Sequence, residues 1–425
     1  MAGGAGARRG LTLKPDHAIP RAFRVLMRRA DAALAAAVAQ PDERVRAVGG
    51  AVRDAFLGRI GGDLDLVAPK GRAEAFAKAL AARAGSRVVP LGAPPKRILK
   101  VPFRSHEIDV WEETGDPAAD LLRRDFTVNA LSFSLPDGTF ASAPGALEDL
   151  AARRLTPPRP GVFLEDPLRV LRAARFLAEL PGFHVSRAAL AELRDAAKIL
   201  RRVAAERRLV EWDKLLGAPP AGRMRALRFL ERIGALEILL LSTAARERRR
   251  GISLVEAMKE PDPRVARSLL LLPQGEGRAL DSLRRWKTSR EEQRLARHLF
   301  ALGRRRAIRP PTRREIAESL RRLSPFLRES LLFLSSAGNE GMRHFVSALS
   351  PYLRRPAALR RILKPVRPLL FAEISSLLGL PEGPELGAAL EAFDLALAAG
   401  EVRDARGARA WLRRFRMPHS ARARC

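Results

Sequence analysis

Residues 48–67 read VGGAVRDAFLGRIGGDLDLV, and this segment constrains the fold more than any other. An apolar strand ends on Gly49 and Gly50, an amphipathic stretch from Ala51 carries Arg53 and Asp54, a glycine-containing loop follows, and a second strand carries Asp63 and Asp65. Side chains alternate between the faces of a strand, so Asp63 and Asp65 point the same way with Leu64 and Leu66 buried behind them. Two carboxylates held side by side repel each other unless a hard cation sits between them, and oxygen-only ligation suits Mg²⁺. Gly49 and Gly50 leave backbone N–H groups open to a phosphate beside the N-terminus of the following helix. A phosphate cradle and a cation site thus come in one segment of alternating strand and helix.

The surroundings extend that pattern. RVRAVGG reads as a strand, 51–58 as a helix, DLDLVAP as a strand and 72–84 as an amphipathic helix; VVPL, ILKVPF and HEIDVWE read as short strands. After LTPPRPGVF (155–163) the character changes, and from Asp166 the spacing of Leu, Ala and Arg is helical, broken at Pro181, Pro219, Pro261, Pro273, Pro310 and Pro381. The expected fold class is α+β: a mixed-sheet head followed by an all-α neck, body and tail. The divisions read as a lead-in extension and helix over 1–38, a head over 39–156, a neck over 157–236, a body over 237–350 and a tail over 351–425.

Lys+Arg 78 against Asp+Glu 47 leaves a net charge of +31, which attracts a polyanion over long range. The one cysteine, Cys425, excludes an internal disulfide framework and a cysteine zinc site, and points to a reducing compartment. The glycine-rich start has no apolar core, so it reads as a disordered lead-in and not as a secretory signal. No apolar run approaches the ~18–20 residues of a membrane helix, and a cytoplasmic protein is expected. Six scattered histidines, with no His-Asp dipeptide, argue against a histidine-based phosphohydrolase domain.

Three further segments carry chemistry. In HEIDVWE, Glu107 and Asp109 share one strand face, and either can join Asp63 and Asp65; Asp109 is preferred. In DLLRRDFTVNAL (120–131), Arg123 and Arg124 offer guanidinium forks, while Asp125 and Asn129, at i and i+4, share a helical face suited to sugar hydroxyls. In EDPLRVLRAARF (165–176), Pro167 suits a first helical turn with Glu165 and Asp166 at its positive end. Asp166, Arg169 and Arg172 recur every three residues as one ridge with an acceptor and two donor forks, a set able to bond the edge of a base.

In this order the motifs resemble those of the class II tRNA nucleotidyltransferases (CCA-adding enzymes) and bacterial poly(A) polymerases. The resemblance implies addition of CCA, or only CC, to the 3′ end of tRNA from CTP and ATP with release of pyrophosphate. It implies catalytic Asp63, Asp65 and Asp109, with Mg²⁺ on Asp63 and Asp65 in a two-metal site. Gly49, Gly50, Arg53, Arg124, Asp125 and Asn129 match nucleotide and phosphate contacts; Asp166 and Arg169 match the residues that select cytosine and adenine, with Arg172 supporting them. Glu206, Arg207 and Glu211, in AAERRLVEWDKLL, match a bracing motif of the neck. Residues 377–412 resemble the tail that grips the elbow of tRNA, without its usual Gly-Lys-Asp opening.

Between HEIDVWE and DLLRRDFT the chain is short, which resembles enzymes specialised to add CC. The stretch PLGAPPKRILKVPF departs from the poly(A) polymerase pattern, so poly(A) addition ranks second. A catalytically silent RNA-binding protein ranks third, since it would be expected to have lost a carboxylate of the DxD pair. Oligomeric state is not legible in the sequence.

Overall fold

The alternation in DLDLV is realised as strand β2 (Leu64–Ala68), with Leu64, Leu66 and Ala68 fully buried on one face and Asp65 on the other. In the computed structural model, which describes residues 15–40, 44–93, 97–135, 137–242, 244–303, 311–338 and 340–415, β2 is the centre of a seven-stranded sheet. The other strands are β1 (Arg46–Val48), β3 (Val89–Leu91), β4 (Ile98–Phe103), β5 (His106–Glu112), β6 (Leu131–Ser134) and β7 (Phe140–Ser142), in the order β3-β4-β5-β2-β1-β6-β7. β2 and β5 run parallel, and the remaining neighbours are antiparallel, which is the mixed sheet expected.

One face of the sheet is the core of the head. Ala47, Leu99, Val101, Ile108, Val110 and Phe133 join the leucines of β2 there, all buried. Helices α1 (Pro15–Met27), α3 (Gly50–Phe56) and α4 (Ala73–Arg83) belong to this layer, with α2 (Ala30–Val38) packed on α4. Phe133 meets Phe23, Phe56 and Phe140 at ring-centroid distances of 5.3, 5.9 and 5.1 Å. Each such buried side chain contributes about 1.5–3 kcal/mol by leaving water. Helices read at 51–58 and 72–84 appear as α3 and α4.

The helices of that layer pack on the core face only, yet Val48, Val67 and Ser132 on the opposite face are buried too. Arg46, Val48, Asp65, Val67 and Trp111 line a cavity of about 360 Å³ on this side, closed by Asp120 and Arg124. Asp120 lies on α5 (Pro117–Leu122), which starts sharply: the Asp116 carboxylate accepts the Ala118 and Ala119 amides, and Pro117 takes the first position. Only 113–116 separate β5 from α5.

Beyond the sheet come α6 (Ala146–Ala152), a parallel pair β8 (Arg154–Leu155) and β9 (His184–Val185), then α7 (Val162–Glu165), α8 (Arg169–Glu179), α9 (Arg187–Lys198), α10 (Ala205–Leu216), α11 (Pro220–Arg232) and α12 (Ala235–Leu240). Helix α8 packs against α10 and α11. All of this forms one compact unit, Met1–Leu241, and Ser242–Cys425 forms a second.

Within the second unit every described element is helical, from Ala245–Glu256 to Ala405–Arg414. Its last part has its own core of Leu369, Ile374, Phe393, Ala396, Val402, Ala408 and Leu412. Among the described residues no helix is long and apolar enough to cross a membrane. The glycine-rich lead-in through residue 14, His419 and Cys425 lie outside the described residues.

Candidate active site

Parallel pairing of β2 with β5 sets Asp65 directly opposite Asp109. Asp63 stands one residue before β2, exposed, and its Oδ1 accepts the Glu107 amide at 3.3 Å. The three aspartates read from the sequence therefore come to one end of one sheet face. Burial raises the pKa of Asp65; Arg124 and Arg172 counter it, while Asp109 and Asp63 push the same way as burial. Burial likewise raises Asp109, against the pull of Lys100 and with a further push from Glu107 and Asp63. Carboxylates so placed gain from a cation.

Glu107 and Asp109 share the strand face that Asp63 and Asp65 meet, and Asp109, preferred from the sequence, is the one paired with Asp65. Asp109 faces Asp65, whereas the Glu107 side chain is half exposed and bonds Lys100. Lys100 Nζ also lies 3.0 and 3.3 Å from the two Asp109 oxygens. Among the described residues no three carboxylates, histidines or cysteines converge on one point as a ready cation cage. Mg²⁺ asks for less, one or two carboxylates with substrate oxygens and water completing its shell, and the oxygen-only set of Asp63, Asp65 and Asp109 fits that chemistry.

The glycine turn is built differently from the expected cradle. Gly49 has φ +72°, and a Cβ on it would meet Arg124 Nη1 at 2.9 Å and Asp65 Oδ2 at 3.6 Å. Glycine here lets Arg124 lie against the backbone next to Asp65. The Gly49 amide, however, is not open: it donates to the Leu131 carbonyl at 3.1 Å, extending the pairing of β1 with β6 by one residue. What remains of the cradle is Gly50 and the first turn of α3, whose amides lack intrahelical acceptors. Arg124 bonds Asp120 at 3.3 Å, and its Nε is buried without a hydrogen-bond partner.

Asp125 and Asn129 do meet, although not on a shared α-helix. Helix α5 ends at Leu122 and a 3-10 turn spans Thr127–Asn129, so the contact is made side chain to side chain, Asn129 Nδ2 donating to Asp125 Oδ1 at 2.9 Å. Arg53 Nη1 donates to Asn129 Oδ1 at 2.7 Å. Arg172 Nε donates to the other Asp125 oxygen at 2.7 Å, and Arg172 Nη1 to Glu211 at 3.2 Å. Glu211 also accepts Arg175 Nε at 2.7 Å. Burial opposes the Asp125 charge, but Arg172, Asn129 and the Phe126 amide outweigh it and hold the pKa at about 2. Arg53, Arg172 and Arg175 all stand within 5.5 Å of the Phe176 ring centroid. One hydrogen-bonded chain thus runs from α3 to α10.

The ridge of 166, 169 and 172 is only partly helical. Asp166 is extended at φ −135°, and α8 begins at Arg169. The reason is Pro167, which disfavours the helical region for the residue before it. Asp166 is instead fixed by its own carboxylate, which accepts the Leu168 amide at 3.2 Å and Arg207 Nη2 at 2.9 Å. Arg169 donates to the carbonyls of Val162, at 2.7 Å, and Arg123. Burial lowers the Arg169 pKa, with Asp125 and Asp166 supporting its charge.

The bracing trio divides accordingly. Glu211 is buried under Arg172 and Arg175, Arg207 reaches Asp166, and Glu206 is exposed in the first turn of α10. Two residues of this site were missed in the sequence. Arg175 continues the three-residue spacing of Arg169 and Arg172, a signal that was available; Lys100 gave none, since its partners lie across a strand pair.

Comparison with known proteins bears on family and fold. The profile of the Poly A polymerase head domain matches residues 45–156. The CC-adding tRNA nucleotidyltransferase of Thermus thermophilus is 31% identical over 425 aligned positions, spanning 88% of this chain and 94% of that protein. The CC-adding tRNA nucleotidyltransferase of Geobacter sulfurreducens is 39% identical over 177 residues, 41% of this chain and 40% of that one. In fold the chain resembles a CCA-adding enzyme solved with CTP, at TM-score 0.68 and 18% identity over 92% of this chain and 97% of that one. It also resembles the Thermotoga maritima CCA-adding enzyme solved with tRNA, at TM-score 0.66 and 19% identity over 92% and 98%. The chain is therefore a nucleotidyltransferase and belongs to the family of class II tRNA nucleotidyltransferases and bacterial poly(A) polymerases.

Proposed function

We propose that this enzyme extends the 3′ end of tRNA by two cytidylates, taking CTP and releasing pyrophosphate, and leaves the terminal adenylate to another enzyme. The observation that carries nucleotidyl transfer is the Asp65–Asp109 rung with Arg124 beside it, on the sheet face that holds the cavity lined by Asp65 and Arg124. Addition of CC in preference to CCA rests on the connector 113–116 between β5 and α5, and on the CC-adding relative that aligns over most of both chains.

Asp63, Asp65 and Asp109 would hold Mg²⁺, which when bound supplies Lewis acidity at the RNA 3′-hydroxyl and charge neutralisation at the triphosphate. Arg124 and the first turn of α3 bind phosphate oxygens. Asp125 and Asn129, fixed by Arg53 and Arg172, orient the sugar. Asp166 and Arg169 meet the base edge, Arg172 holds the ridge to the head, and Glu211 with Arg207 keeps the ridge in place. The 3′-oxygen attacks the α-phosphorus as the bond to the β-phosphate oxygen breaks, so RNA grows by one nucleotide and pyrophosphate leaves. A cytoplasmic location accords with such substrates.

The test uses the full chain with Mg²⁺ and tRNA transcripts ending before CCA, after C and after CC, with CTP, ATP or both, and products resolved to single nucleotides. Two cytidylates and no adenylate are expected. Complete CCA would show that the short connector does not limit the enzyme to C, and long adenylate tails on unrelated RNA would move it to poly(A) synthesis. No addition to any transcript would defeat the reading.

A further inference from the structure

The helix pair that opens the described chain reaches the catalytic strand through three side chains. Arg29, at the corner between α1 and α2, and Asp31, in the first turn of α2, are 7% and 1% exposed. Both precede the residues matched by the head-domain profile. Asp31 Oδ1 accepts Arg29 Nε at 3.0 Å and the Ala32 amide at 2.8 Å; Oδ2 accepts Arg29 Nη2 at 2.7 Å and lies 2.7 Å from His106 Nε2. A carboxylate this deeply buried persists because both oxygens are satisfied. The outer edge of the Arg29 fork then has one use: Nη1 donates to the Gly61 carbonyl at 2.8 Å and Nη2 to the Gly62 carbonyl at 2.7 Å.

Those carbonyls belong to the two residues before Asp63. Gly61 and Gly62 have φ of 149° and 75°, and no atom stands within 4 Å of where a Cβ would be on either. Residues 58–63 are exposed, so side-chain packing does not define this loop. Backbone bonds to Ala55 and Asp54 hold Gly58 and Arg59, and the Arg29 hydrogen bonds hold Gly61 and Gly62. On the other side of Asp63, His106 opens β5, and the amide of the next residue, Glu107, is the donor to Asp63 Oδ1. Asp31 is thereby tied to the loop before Asp63 through Arg29 and to the strand beside Asp63 through His106.

We propose that Arg29 and Asp31 are positioning residues for Asp63, clamping the Gly61 and Gly62 carbonyls and the head of β5 so that Asp63 is held at the end of the face that carries Asp65 and Asp109. This rests on the nucleotidyl-transfer reading above. Neither residue touches reacting atoms; they act by holding a glycine loop that would otherwise sample many conformations.

The test compares the full-length wild type with Arg29→Ala, Asp31→Asn and Arg29→Lys, and with Leu26→Ala, which hollows the same helical packing without touching the clamp. Steady-state addition of C to tRNA is measured with kcat and KM separated, alongside amide hydrogen exchange over 60–63. Arg29→Ala and Asp31→Asn are expected to lower kcat roughly 10- to 100-fold, with KM for CTP and tRNA within about twofold, and to speed exchange over the loop. Arg29→Lys should recover part of kcat, because an ammonium can still reach one carbonyl. Leu26→Ala should lower Tm and keep kcat. Wild-type kcat in the clamp variants, an equal loss in Leu26→Ala, or unchanged loop exchange would overturn the proposal. A wild type that adds no nucleotide would defeat the functional reading, and loop exchange alone would then decide the clamp: faster exchange upholds it and unchanged exchange overturns it.

Discussion

Asp65 and Asp109 occupy one rung of the parallel ladder between β2 and β5, so two carboxylates from strands more than forty residues apart in sequence face each other with backbone precision. Asp65→Asn and Asp109→Asn are each expected to lower single-turnover C addition on the order of 10³-fold, the loss of several kcal/mol of charge stabilisation. Filter binding of tRNA should stay within about twofold, since the phosphate backbone supplies most of that affinity.

Asp125 gives the head a specific acid sensitivity. Its carboxyl titrates at about 2 in the folded protein against an ordinary 3.8, so the folded state holds the charge more tightly than the unfolded chain. That contribution, about 2 kcal/mol, is complete above pH 3.8 and is lost as pH falls toward 2. Urea unfolding of wild type and Asp125→Asn should therefore differ at neutral pH and converge by about that amount in acid. A gap independent of pH would contradict the assignment.

Gly49→Ala tests the close approach of Arg124 to the turn. A methyl group would be forced into a positive-φ backbone (φ +72°, ψ −129°) and against Arg124 Nη1, at 2.9 Å, costing about 1–3 kcal/mol for the backbone alone. C addition should fall while the helical second unit keeps its unfolding transition. An unaltered rate would mean that Arg124 can withdraw without consequence.

Asp166→Ala and Arg169→Ala probe base choice. Each removes a group proposed to bond the base edge, and discrimination of CTP over UTP, measured as a ratio of kcat/KM, should fall on the order of 10²-fold. Equal loss for both nucleotides would make the pair structural.

Legibility in the sequence followed locality. DLDLV announced both its buried leucines and the acids on its other face, because strand alternation is local, and the change to helical spacing after 155–163 announced a mostly helical remainder, though not the short strand β9, whose partner β8 lies before the change. The three-residue spacing of 166, 169 and 172 announced one ridge, but Pro167 keeps Asp166 extended ahead of α8, so the ridge is helical only from Arg169. Gly49 kept its turn but not its free amide, since that amide is taken by Leu131, eighty-two positions onward. The clamp of Arg29, Asp31 and His106 had no local sign, being assembled from a helix corner, a glycine loop and a strand end that only the fold brings together.

The pairing of Asp166 with Arg207, and of Arg169 with two backbone carbonyls, has a consequence for how a nucleotide is chosen. The groups proposed to read the base are already engaged with the protein itself, so on that proposal an incoming nucleotide does not fill vacant donors and acceptors but takes part in an exchange of partners. A base whose edge replaces every bond it breaks enters at little net cost; one that mismatches leaves a half-exposed carboxylate or a half-buried guanidinium fork without its partner. Fidelity on that proposal arises from the enzyme's own internal competitor, present at fixed effective concentration whatever the supply of nucleotides in the cell.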